Sequence, residues 1–178
     1  MAFLCPPRLA PTFFIQCADT MNAIKPAIFP EDLERVITIF REYVASPSVN
    51  LDFQDYESEF AALPGKYAAP EGRLLLAWKN GAVVGCAALR KVDASVCEMK
   101  RVYVQPAARG DGLGRRLVES TIAAAREAGY SRICLDVLPE FTQAQHMYAS
   151  LGFRITAPVT FNPVPGTQFL GLDLISPC

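Results

Sequence analysis

The chain has little with which to hold a metal or a disulfide framework. Its 178 residues include one histidine and six cysteines. The cysteines stand at 5, 17, 86, 97, 134 and 178, with no C-x-x-C pair among them. That spacing excludes a zinc ribbon, and no metal is expected. Cys86, Cys97 and Cys134 fall in apolar, strand-like runs, where a small buried thiol is the expected state. Scattered thiols suit a reducing compartment, so a cytoplasmic location is expected. No apolar run reaches the length of a membrane span, and no membrane association is predicted. The formal net charge is only −1, too small for the electrostatic footprint of a nucleic-acid binder. Repeats and low-complexity tracts are missing too. A secretory signal is not apparent: residues 1–20 are apolar but broken by Pro6, Pro7, Pro11 and Arg8. They are expected to form a poorly structured N-terminal extension outside a domain spanning 21–178.

What the chain does have is a hydrophobic share of 51%, enough for one globular domain. Ala23–Ala27 is a short candidate strand. Pro30-Glu31-Asp32 opens a helix, since proline and acids suit a first turn. Leu33, Val36, Ile37, Phe40 and Val44 mark its apolar face. A second helix is predicted over Asp52–Leu63, with Phe53, Tyr56, Phe60 and Leu63 inward and Pro64-Gly65 as the stop. Gly72–Lys79 and Ala82–Val92 are strands, joined by Asn80-Gly81 as a type I′ hairpin. Strand Val96–Val104, helix Gly112–Gly129 and strand Ser131–Leu138 follow. Then come helix Glu140–Leu151 and strands Phe153–Thr156 and Gln168–Leu174. The order β-α-α-β-β-β-α-β-α-β-β implies an α/β fold, a mixed central sheet with helices on both faces.

The most informative stretch is Arg109-Gly110-Asp111-Gly112-Leu113-Gly114, where a strand hands over to a helix. The first helical N–H groups have no internal partner, and the helix dipole is positive there. Three residues without side chains let a phosphate approach those amides. Arg115 and Arg116 add positive charge alongside. A nucleotide P-loop would need Gly-Lys-Ser/Thr, and Gly114 is followed by two arginines instead. A dinucleotide fingerprint would need G-x-G-x-x-G near the start of a βαβ unit. Spacing alone leaves a diphosphate cradle and a merely tight turn both open.

The flanks add a resemblance. The string from Glu98 to Leu117, EMKRVYVQPAARGDGLGRRL, resembles the acyl-CoA-binding motif of the GNAT superfamily of N-acetyltransferases. There Gln/Arg-x-x-Gly-x-Gly/Ala follows a strand, matched by Arg109, Gly112 and Gly114. Further on, Ala144-x-x-x-Tyr148-x-x-x-Gly152-Phe153 resembles the family's second signature. The resemblance covers residues 23–174. It implies a GNAT-like fold whose central parallel strands, 96–104 and 131–138, splay apart to admit acetyl-CoA as co-substrate. It implies that main-chain groups of Val102, Tyr103 and Val104 meet the pantetheine arm. The main chain of Gly110, Asp111, Gly112, Leu113, Gly114 and Arg115 would then hold the pyrophosphate. Many members carry an asparagine seven residues before the tyrosine; here Phe141 stands there, so any contact becomes apolar or passes to Thr142.

The implied reaction asks for three things. A lysine-like amine is neutral in roughly one molecule in two to three thousand at pH 7, so deprotonation costs roughly 4–5 kcal/mol. The thioester carbonyl needs a fixed N–H donor, and the leaving thiolate needs an acid. Tyr148 matches the family's general acid, against a reading as a half-buried helix aromatic. Glu98 stands where several members carry a base, against pairing with Lys100 or Arg101 on its strand. Asp136 occupies another base position, against a structural hydrogen-bonding role. His146 lies two residues before Tyr148, on another side of the helix, and is expected at the surface.

The expected activity is therefore transfer of an acetyl group to a primary amine by direct attack in a ternary complex. The alternative is an acyl-CoA-binding regulatory module with degenerate catalysis. The resemblance implies an acceptor pocket formed by the first two helices and the last strands, here 40–67 and 160–169, stretches that carry the aromatics Tyr43, Phe53, Tyr56, Tyr67 and Phe161 and the acids Asp52, Asp55 and Glu57. That lining suits a small cationic amine ahead of a protein acceptor, and a homodimer is left open.

Overall fold

The computed structural model describes residues 22–174. The expectations for residues 1–20, and for Cys5, Cys17 and Cys178, lie outside them. Strands β1 (Ala23–Pro26), β2 (Arg73–Lys79), β3 (Ala82–Lys91), β4 (Val96–Val104), β5 (Arg132–Val137), β6 (Arg154–Ile155) and β7 (Gln168–Asp173) form one sheet. Its spatial order is β1-β2-β3-β4-β5-β7-β6. Only β4 and β5 run parallel; every other neighbouring pair is antiparallel. The β2–β3 connection is the expected tight turn, with Asn80 at φ 51° and Gly81 at φ 78°.

The helices are α1 (Leu33–Val44), α2 (Tyr56–Ala61), α3 (Leu113–Glu127) and α4 (Thr142–Ser150). Helix α1 buries Val36, Ile39 and Phe40. Ile39 takes the place expected for Ile37, because positions three and four apart share a helix face. One core joins α1 and α2 to one face of the sheet through Phe40, Phe60, Leu74 and Leu76. On the opposite face Val118, Ile122 and Ala125 of α3 pack with Tyr148 of α4 and Ile133 and Leu135 of β5. Cys86, Cys97 and Cys134 are buried free thiols, as their apolar strands predict.

The predicted helix over 52–63 is interrupted. A short 3-10 turn covers Asp52–Gln54, and Asp55 then adopts the left-handed conformation at φ 48° before α2 begins. Aspartate tolerates that region better than most residues. The break has a consequence for the site: Gln54 and Glu59 both bond Arg101. On an unbroken helix, residues five apart would face about 140° away from each other.

Two features of β4 shape the centre of the molecule. It pairs with β5 only through Val96–Glu98, opposite Arg132–Cys134, and beyond that the strands part. The splay implied by the resemblance is thus present. On its other side, β4 carries a bulge: Cys86 faces Tyr103 and Ala88 faces Lys100, so Ala87 alone spans Arg101 and Val102. Arg101 sits at φ 59° there. Bulges bend a strand and re-aim its side chains.

Candidate active site

The splay opens a cleft of about 650 Å³ between β4, β5, the 109–115 loop and α4. The end where the sequence leads one to expect a diphosphate is built from main chain. Gly110 and Gly112 have φ of 103° and 69°, values that suit glycine. Gly112 is the N-cap of α3, and its carbonyl accepts from the Arg116 N–H at 3.1 Å. No hydrogen bond from the main-chain N–H groups of Gly110 through Arg115 occurs among the described residues. Gly114 is helical, so its φ does not demand glycine. A Cβ there would meet nothing nearer than Val104 Cγ2 at 3.9 Å. The space it would fill is open cleft. Six unpartnered amides with a missing side chain beside them fit a diphosphate closely approaching a helix N-terminus.

The flanking arginines divide the work. Arg109 Nε donates to Val104 O at 2.9 Å, tying the loop back to the strand end. Arg115 donates to Glu119 and to Ser150 Oγ, bridging α3 and α4 beside the cleft. Arg116 turns away and donates to Asn22 O. Asp111 does not line the cleft; its carboxylate pairs with Lys79 at 2.7 Å on the surface.

The middle of the cleft is the exposed edge of β4. Gln105 N–H donates to Val84 O at 2.9 Å. In an antiparallel ladder the paired residues alternate. The main-chain groups of Tyr103 therefore face β3, and those of Val102 and Val104 face the gap that β5 has left. Tyr103 contributes its side chain instead: the ring meets Tyr43 edge-on and the hydroxyl donates to Glu42. Phe141 caps α4, lines the cleft and packs its ring against the core, so it offers an apolar wall.

The far end is built from side chains. Tyr148 is 5% exposed, with its ring edge-on to Phe153. Burial pushes its phenol above the ordinary range, and Tyr43 and Asp136 nearby push the same way. It therefore stays protonated at any working pH. Asp136 lines the cleft and receives Lys100 Nζ at 3.1 Å and Asn162 Nδ2 at 2.5 Å. Burial alone would raise its carboxyl, but Lys100 and the hydrogen bond from Asn162 outweigh that and hold it low. The same pairing raises Lys100 against its own burial. Glu98 is 0% exposed and does not line the cleft. It receives Arg90 at 2.6 Å, and its Oε1 lies 3.6 Å from Lys100 Nζ. The two carboxylates thus flank one ammonium and share no open space.

Sequence reasoning missed three residues here. Arg101 is 2% exposed, stacks over Tyr43 and bonds Glu59 at 2.9 Å and Gln54 at 2.6 Å. Lys100 and Gln54 line the cleft with it. The available signal was two adjacent cations, with Glu98, inside a strand whose other residues are apolar or aromatic, since buried charges are paired or functional. The expected acceptor lining is largely elsewhere. Tyr43 faces the cleft, but Tyr67 is core, and Phe53, Tyr56 and Phe161 are not part of the lining. Asp52, Asp55 and Glu57 are exposed. His146 is exposed as well.

The profile of the acetyltransferase (GNAT) family matches residues 35–153. The chain belongs to that family. It is 34% identical to an uncharacterised N-acetyltransferase of Schizosaccharomyces pombe, over 87% of this chain and 94% of that protein. Among solved structures it is similar to a GNAT acetyltransferase of Staphylococcus aureus. There the TM-score is 0.71 at 21% identity, over 86% of this chain and 99% of that one. It is also similar to the yncA acetyltransferase of Salmonella typhimurium, solved with its cofactor acetyl-CoA. That pair gives a TM-score of 0.64 at 25% identity, over 88% and 95% of the two chains. The molecule is thus a GNAT acetyltransferase by fold and by sequence. Among its described residues no helix is long and apolar enough to cross a membrane.

Proposed function

We propose that the chain moves an acetyl group from acetyl-CoA to the primary amine of a small molecule by direct attack within a ternary complex. One observation carries this reading. A single cleft holds the unpartnered amides of Gly110, Gly112, Leu113, Gly114 and Arg115, the unpaired edge of β4 and the Tyr148 hydroxyl. The amides hold the diphosphate. Val102 and Val104 present main-chain N–H groups to the acyl arm, where one polarises the thioester carbonyl.

Chemistry at the far end follows from what the side chains can do. The neutral amine attacks the acyl carbon, a C–N bond forms and the C–S bond breaks. Tyr148 donates a hydrogen bond to the departing sulfur, and the proton shed by the amine nitrogen reaches that sulfur through solvent. The products are an amide and a free thiol. A phenol raised by burial is a weak acid, so its contribution is a hydrogen bond that strengthens as charge develops on sulfur. Asp136, held low by Lys100, is a poor proton acceptor for an ammonium. We assign it to fixing Lys100, with Glu98 buttressing from behind, and the amine's proton leaves to water. Proximity supplies much of the rate.

The test is steady-state kinetics of Tyr148→Phe on any amine the wild type acetylates, with calorimetry of acetyl-CoA binding alongside. Turnover should fall by roughly 10²-fold or more while affinity for acetyl-CoA is unchanged. Full turnover in the variant would remove Tyr148 from the chemistry. Binding of acetyl-CoA with no release of thiol against a broad amine panel would instead favour a binding module.

A further inference from the structure

The acceptor end of the cleft is rich in donors and poor in available carboxylate. Its lining includes only two acids, Asp136 and Glu140. Asp136 is neutralised by Lys100 and takes a second bond from Asn162. Glu140 stands at the mouth, where the main-chain N–H and hydroxyl of Ser48 both donate to it. Neither is placed as an empty anionic seat for an incoming ammonium.

The cations tell the opposite story. Lys100, at 11% exposure, lines the cleft and gives one N–H to Asp136 at 3.1 Å. Glu98 Oε1 lies 3.6 Å from the same nitrogen, an ion-pair distance beyond hydrogen-bond reach. An ammonium has three N–H donors, so two are left without a hydrogen-bond partner among the described residues. Gln54 has given its carbonyl oxygen to Arg101, so its amide NH₂ remains as a donor. Tyr43 and Tyr148 add hydroxyl donors to the same end. Behind this wall Lys66, Arg90, Lys100 and Arg101 are already paired with Glu59, Glu98 and Asp136, and Glu140 at the mouth evens the count. A simple alkylammonium entering here finds no carboxylate without a partner, while a ligand that also brings a carboxylate meets N–H and O–H donors still free to give.

We propose that the acceptor is a short amino acid, an amine bearing its own carboxylate, and that Lys100 is the residue that binds this carboxylate and sets specificity. The inference rests on the acetyl-transfer reading above and names its substrate class. Charge-assisted hydrogen bonds of this kind are the strong ones, and losing one in a shielded cleft discriminates well.

The experiment is a matched panel. Amino acids are compared with the amide and the decarboxylated amine of the same skeleton, following thiol release from acetyl-CoA by wild type, Lys100→Met and Lys100→Arg. The acid should be preferred by at least about tenfold in kcat/KM by the wild type. Lys100→Met should erase that preference through KM for the acid, and Lys100→Arg should retain part of it. Acetyl-CoA affinity should be the same in all three. Equal or better use of the amides or simple amines by wild type overturns the inference and leaves acetyl transfer standing. So does an acid preference that survives Lys100→Met. If that variant does not fold, the wild-type panel and Lys100→Arg still decide. Acetyl-CoA binding with no transfer to any panel member overturns the acetyl-transfer reading, and this inference with it.

Discussion

At one end of the cleft, the unpartnered main-chain N–H groups of Gly110 and of Gly112 through Arg115 line the surface, with a missing side chain at Gly114. At the other, Tyr43, Lys100, Asp136 and Tyr148 project from four different elements, α1, β4, β5 and α4. The first surface is local: one turn and the start of one helix produce it. The second needs partners far apart in the chain, such as Lys100 with Asp136, 36 residues on, and Arg101 with Glu59, 42 residues before. A cofactor shared by a whole family can be held by backbone, which leaves side chains free to vary. An acceptor peculiar to one protein needs side chains, and those must be held in place by a buried network. The two ends should therefore respond differently to mutation.

The largest effect should come from the network. Arg101→Leu leaves Glu59 with Lys66 alone and Gln54 without a partner, and should destabilise the fold by about 3 kcal/mol or more, read as a shift in the urea midpoint. A shift within error would mean the acceptor end does not depend on that pair. Next, Gly114→Leu should weaken acetyl-CoA binding by roughly 10²-fold in calorimetry, while thermal stability holds or rises because leucine favours a helix. Loss of stability together with loss of binding would blur the contrast between the ends. Tyr148→Phe, with its roughly 10²-fold drop in turnover, belongs to the acceptor end and should leave cofactor affinity alone.

A smaller effect distinguishes Asp136 by pH. Its carboxyl is held below the ordinary range in the folded state. Its stabilising contribution is then present above an unfolded value of about 3.9 and is lost as pH falls through the folded value. Asp136→Asn should cost about 1.5–3 kcal/mol at pH 7, and the gap to wild type should close in acid, below about pH 4. A gap that persists unchanged to low pH would deny the ion pair with Lys100. Smallest of all, Asp111→Ala should leave acetyl-CoA affinity where it is, since that carboxylate faces Lys79 and the solvent.

The same contrast explains what was legible in the sequence. Glycines at 110, 112 and 114 reveal the cradle because a backbone site needs particular residues at fixed offsets. The strand and helix order followed from periodicity and from the Asn80-Gly81 turn. The break at Asp55 was not readable, since a helical period runs through it and the left-handed residue is stabilised by what it lets Gln54 and Glu59 reach. Lys100 and Arg101 look like ordinary strand charges until the bulge and splay bring them into the cleft. Asp52, Asp55 and Glu57 were expected to line the acceptor pocket because the resemblance places that pocket at the first two helices, yet they are exposed to solvent. Glu98 illustrates the limit most clearly. Its place on β4 suggests a base, whereas its partner Arg90 comes from β3 and closes it off.

The central claim is that the main chain from Gly110 to Arg115 holds the diphosphate of coenzyme A. Amide NMR during a titration with coenzyme A tests it most directly. Those six N–H resonances should shift most and their hydrogen exchange should slow on saturation. Saturable binding with those amides unmoved, or no association even at millimolar ligand with folded protein, would contradict it.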